Sequence, residues 1–117
     1  MNISVEAVLI ETVQLAAMAN FYRTGFELSE PDTEDNGQVG FQIGDVYFGL
    51  EQVEQSSAPS RAMSLWFKVE DARVVYERLL NLGAQTKDPP KDTDDEVIAS
   101  VFDPDGNVIG LLSDRDL

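Results

Sequence analysis

Two successive stretches of the chain carry the same order of apolar runs, helical spacing and glycine-marked turns. In the first, Ile3 to Val13 is rich in Val, Ile and Leu and has the length of a strand. From Leu15 to Arg23, the residues Leu15, Met18, Ala19 and Tyr22 recur at i, i+3, i+4 and i+7 and mark one helix face, with Gly25 as the expected stop. Phe26 to Ser29 reads as a short strand and Pro31 to Gly37 as a turn-rich stretch. Val39 to Ile43 and Val46 to Gln52, joined by Gly44-Asp45, form a hairpin pattern.

The second stretch repeats this. Met63 to Val69 is a strand, Glu70-Asp71 supplies a helix N-cap, and Ala72, Val75, Leu79 and Leu82 form the helix face before Gly83. Ala84 to Lys87 reads as a short strand leading into an acidic, proline-containing loop, Asp88 to Asp95. Glu96 to Phe102 and Asn107 to Leu112, joined by Asp103-Pro104-Asp105-Gly106, make the closing hairpin. The pattern predicts β-α-β-β-β twice, over about 1–54 and 62–117, with Gln55 to Arg61 as linker. Each half is too small to bury a core alone, so a single domain of paired modules is expected.

Composition narrows the chemistry. The chain has 117 residues, 43% of them apolar, which suits a globular α+β domain. It contains no cysteine, which excludes disulfides and thiolate catalysis. It contains no histidine, which excludes Ser-His-Asp and Cys-His arrangements and removes the commonest transition-metal ligand. The formal charge of −14 disfavours nucleic acid and anionic membrane as partners and is compatible with a cationic ligand, or with a solvated acidic surface. No apolar run approaches the roughly 20 residues that span a bilayer, and the first residues lack a basic region, so a cytoplasmic protein is expected.

Three segments, in order, carry a family resemblance. Leu15-Ala16-Ala17-Met18-Ala19-Asn20-Phe21-Tyr22-Arg23-Thr24-Gly25-Phe26 is similar to a first-helix signature. Phe67-Lys68-Val69-Glu70-Asp71-Ala72 with Leu82-Gly83-Ala84 is similar to the ends of the second helix. Phe102-Asp103-Pro104-Asp105-Gly106-Asn107-Val108-Ile109-Gly110-Leu111 is similar to the closing hairpin. Together they resemble the vicinal oxygen chelate superfamily of glyoxalases, bleomycin-resistance proteins and dioxygenases. Gln14 departs from the pattern, where many relatives carry a capping Asp.

The resemblance implies two βαβββ modules whose curved mixed sheets surround a cleft. Enzymatic members usually hold one divalent metal there with four side chains, two per module. The matching positions here are Ala7, Gly49, Ser64 and Gly110, none of which replaces a His or carboxylate ligand. No catalytic residue, metal or cofactor is therefore expected.

Strand alternation places Leu9, Glu11, Tyr47, Glu51, Trp66, Lys68, Val108 and Leu112, with Val5, on the same face as those four positions. The ligand-binding face is thus expected to comprise Leu9, Glu11, Tyr47, Gly49, Glu51, Ser64, Trp66, Lys68, Val108, Gly110 and Leu112, with open space above Gly49 and Gly110. The opposite set, Ile10, Phe48, Leu50, Leu65, Phe67, Val69, Ile109 and Leu111, belongs against the helices. Trp66 beside carboxylates suits a flat cationic ligand. Trp66 and Tyr47 filling a core or dimer contact, and Lys68 paired with Glu11 or Glu51, are the structural alternatives.

The resemblance leads to a metal-independent small-molecule binding or sequestration protein, and to a homodimer. Two other functions stay open. One is a glyoxalase- or dioxygenase-like enzyme whose metal has moved to Glu11 and Glu51. The other is a structural or regulatory dimer with a filled cleft.

Overall fold

The computed structural model describes residues 2–55, 59 and 62–115. It divides into two compact units, residues 1–58 and 59–117. Residues 56–58, 60 and 61 of the expected linker, and 116–117 of the second half, lie outside the described residues.

The first unit runs β1 (Ala7–Thr12), α1 (Leu15–Gly25), β2 (Thr33–Glu34), β3 (Gln38–Ile43) and β4 (Val46–Gln52). The sheet order is β1-β4-β3-β2, with β1 parallel to β4 and the other pairs antiparallel. A parallel neighbour needs a crossover, and α1 provides it by packing on one sheet face. There Tyr22 meets Phe48 with ring centroids 4.8 Å apart. Met18, Phe21, Tyr22, Phe48 and Leu50 are buried. Each such side chain contributes about 1.5–3 kcal/mol by leaving water, so packing rather than end-capping fixes α1 on the sheet.

The second unit runs β5 (Ser64–Lys68), α2 (Ala72–Asn81), β6 (Gln85–Asp92), β7 (Glu96–Phe102) and β8 (Val108–Asp114). Its order, β5-β8-β7-β6, reproduces the first, again with a parallel outer pair. Val75, Tyr76 and Leu79 of α2, with Ala99, Val101, Ile109 and Leu111 from the sheet, are buried. The architecture is α+β, two four-stranded mixed sheets each carrying one helix. No helix among the described residues is long and apolar enough to cross a membrane.

The helix starts show the repeat at atomic level. Asp71 caps α2 by accepting from the amides of Arg73 and Val74, whereas Gln14 makes no side-chain cap to α1. Both first helical amides nevertheless find a partner at the end of the last strand. Leu15 N donates to Gln52 Oε1 at 3.0 Å, and Ala72 N donates to Ser113 Oγ at 2.9 Å.

Four sequence expectations change. Ile3 to Glu6 lie outside β1, whose pairing with β4 covers only Ala7–Thr12 against Tyr47–Gln52. Gly25 does not stop α1 but is its last residue; Glu27 takes the left-handed turn at φ 52°. The amides of Glu27 and Leu28 then bond back to Thr24 and Arg23. In α2 the same motif has Gly83 at φ 105°.

That reversal also removes the strand expected at Phe26 to Ser29; the second strand is Thr33–Glu34, inside the stretch read as turn. Finally, the acidic segment after Lys87 is not a loop, because β6 continues to Asp92. Pro89 and Pro90 are tolerated because β6 is an edge strand and its register breaks between Asp88 and Lys91.

Candidate functional site

The side of each sheet away from its helix carries the residues expected to meet a ligand. In the first unit Ala7, Leu9 and Glu11 of β1 lie beside Tyr47, Gly49 and Glu51 of β4, pair by pair. In the second, Ser64, Trp66 and Lys68 of β5 lie beside Val108, Gly110 and Leu112 of β8. The four positions matching the superfamily's metal ligands keep one geometry. Ala7 pairs with Tyr47 and Gly49 follows two residues on; Ser64 pairs with Val108 and Gly110 follows two residues on. The structure thus brings each unit's pair onto one sheet face.

The two glycines are not open ground. A Cβ on Gly110 would collide with Cδ2, Cε2 and Cε3 of Trp66, so the indole rests on the backbone of its parallel neighbour. Trp66 Nε1 donates to Ser64 Oγ at 2.9 Å, which fixes the ring. Its outer part stays free, leaving Trp66 46% exposed.

The first unit uses the same device. A Cβ on Gly40 would collide with the Tyr47 hydroxyl, and one on Gly49 with Leu9 Cδ2 and Tyr47 Cε2. The expectation of open space above Gly49 and Gly110 is therefore corrected. Their missing side chains let aromatic rings lie close to the sheet.

A divalent metal does not fit these positions. Alanine and two glycines offer no side-chain donor, and the one hydroxyl, on Ser64, already accepts from Trp66. Among the described residues no three carboxylates, imidazoles or thiolates gather to hold an ion. Glu11 and Glu51 are register partners on one face, which brings together two carboxylates but no further strong donor.

In the second sheet Lys68 bridges Asp114 on the adjacent strand, at 3.2 Å. One row across this sheet runs Trp66, Gly110, Ser100, Asp88. Ser100 is buried, and its Oγ donates to Asp88 Oδ2 at 3.0 Å. That hydrogen bond, with the Lys87 ammonium 3.2 Å away, holds the Asp88 carboxyl below its ordinary value. Sequence reasoning missed Asp88 because the two prolines disguised β6 as a loop, which hid the residue's face.

Residues 7–112 match the family model for a glyoxalase-like domain. The chain belongs to the glyoxalase-like family. Its fold agrees with solved members of the glyoxalase, bleomycin-resistance and dioxygenase superfamily. A glyoxalase-related enzyme from Fulvimarina pelagi is 22% identical with a TM-score of 0.81, over 94% of this chain and 87% of that one. A glyoxalase/bleomycin resistance protein from Albidiferax ferrireducens is 19% identical with a TM-score of 0.80, over 95% and 98%. A fosfomycin resistance protein from Mesorhizobium loti is 22% identical with a TM-score of 0.69, over 96% and 91%. No curated protein matches the chain. At these identities the likeness establishes the fold of this glyoxalase-like protein and leaves its chemistry to its own residues.

Proposed function

We propose that this glyoxalase-like protein binds a small planar molecule, cationic by preference, without a metal. The observation that carries the reading is the indole of Trp66 seated on Gly110, half exposed, at one of the family's metal-ligand positions. A flat apolar surface there favours an aromatic ligand through stacking, and through cation–π attraction where the ligand is charged. The formal charge of −14 raises the local concentration of cations. On the first sheet the register partners Glu11 and Glu51 add negative charge to the face of β1 and β4. The solved relatives include a glyoxalase/bleomycin resistance protein and a fosfomycin resistance protein.

The test uses the single tryptophan as its own reporter. Planar aromatic cations are titrated against the protein, with neutral analogues of the same ring in parallel. Saturable quenching by the cations is expected in the parent protein, and calorimetry, which needs no tryptophan, is expected to show affinity weakened tenfold or more by Trp66→Ala. Binding that is unchanged in Trp66→Ala overturns the reading, as does a panel in which no cation binds.

A further inference from the structure

The internal repeat exposes a second place where a ligand fits, on the other side of the first sheet and independent of the function proposed above. Between α1 and the strands β2 and β3 lies a groove of about 490 Å³. Its floor is Ala19, Val39 and Phe41, and Glu34 and Asp35 stand among its polar lining residues. The second unit explains why the first is hollow here. Ala19 and Tyr76 are each the fifth residue of their helix, counted from first amides that are held by equivalent strand-end residues, Gln52 and Ser113. Both face the outer strands of their own sheet. Tyr76 is 7% exposed, and its hydroxyl lies 2.7 Å from Thr86 Oγ1 on β6. In the first unit alanine leaves that ring's volume empty, and β2, with two residues, is too short to close over it.

We infer that the groove accepts a single aromatic ring carrying a hydrogen-bond donor, in the place that the Tyr76 side chain holds in the other unit. In the second unit the matching place between helix and outer strands holds a phenol ring, that of Tyr76. A cavity of about 150 Å³ is enough to hold benzene, so size does not limit a one-ring ligand. The donor preference follows from the polar lining. Asp35 Oδ1 is already taken by the amides of Gly37 and Gln38, and Arg23 is held by Glu30. The Glu34 carboxylate has no hydrogen bond or ion pair with any described residue, and with Asp35 Oδ2 it offers a charged acceptor to an incoming hydroxyl or ammonium. A ring bearing a cation gains further from the acidic rim.

The probes are p-cresol, the side chain of tyrosine as a free molecule, and tyramine, the same ring with an ammonium group. Each is titrated into the full chain while backbone amide resonances are followed. Saturable shifts at Ala19, Glu34, Val39 and Phe41 are expected with both probes, with tyramine binding there several-fold tighter than p-cresol. Glu34→Gln removes that difference. Ala19→Tyr fills the groove and abolishes both sets of shifts; Ala19→Leu, a smaller filling, weakens binding at least fivefold if the tyrosine variant fails to fold. Shifts that persist unchanged in the folded filling variant overturn the inference, as does the absence of saturable shifts in the groove. Shifts at Trp66 with none in the groove report binding to the second sheet and equally overturn it.

Discussion

The indole of Trp66 rests on the backbone of Gly110, in the space a side chain at position 110 would need. The two residues are register partners on parallel strands, so their alignment is built into the sheet. Gly110 is thus the seat of the ring, and its missing side chain makes room for the indole. Replacing Gly110 by Ala forces the indole off the strand. Overpacking of this kind costs about 1–3 kcal/mol. Chemical denaturation is expected to show that loss, and Trp66 emission to shift to the red as the ring enters water. An unchanged emission maximum contradicts the seating.

The helix starts give a second expectation. The amide of Ala72 donates to the buried hydroxyl of Ser113. Ser113→Ala leaves that amide without its partner, at a cost of about 1–2 kcal/mol. At α1 the position before the helix is Gln14, which makes no side-chain cap. Gln14→Asp is expected to stabilise the chain by about 0.5–1 kcal/mol through the missing bonds and the helix dipole. Equal stability of Ser113→Ala and the parent protein would sink the shared-cap description.

Glu27 adopts φ 52°, where glycine stands in the second unit. A side chain in that conformation costs about 1–2 kcal/mol, and the greater freedom of unfolded glycine returns about 0.5–1 kcal/mol of the gain. Glu27→Gly is therefore expected to raise stability by up to about 1 kcal/mol. A clear loss on denaturation would mean that contacts of the Glu27 side chain outweigh the backbone strain.

The Asp88 carboxyl is held below its ordinary value of 3.8 chiefly by the Ser100 hydroxyl, then by Lys87. A depressed folded-state value makes the contribution to stability present above the ordinary value and lost as pH falls through the folded one. Removing the hydroxyl in Ser100→Ala is expected to move the Asp88 titration upward, toward 3.8, in a carboxyl NMR titration. A titration that does not move would assign the shift to Lys87 instead.

Much of this was legible in the sequence, for physical reasons that also explain the failures. Leu15, Met18 and Tyr22 sit three and four residues apart and are all buried, so apolar periodicity identified the helix and its face. Strand parity likewise separated Leu9 and Trp66, both exposed, from Leu50 and Leu111, both buried. Positions set by backbone geometry were not readable. Nothing in the pair Pro89-Pro90 announces an edge strand with broken register. Gly25 looked like a helix stop, but the left-handed residue is Glu27. The glycines of the ligand face signalled emptiness by composition, and only the ring positions of Tyr47 and Trp66 reveal why no side chain is there.

The most direct measurement of the central claim is a titration of Ni²⁺, Mn²⁺, Zn²⁺ and Mg²⁺ into the protein, following Trp66 emission, with bound metal determined by elemental analysis after gel filtration. Trp66, seated against Gly110 and bonded to Ser64, is expected to show no saturable response to any of them, and substoichiometric metal is expected to be retained. One equivalent of retained metal, lost in Glu11→Gln and Glu51→Gln, would contradict metal-independent binding and move the chemistry to those two carboxylates.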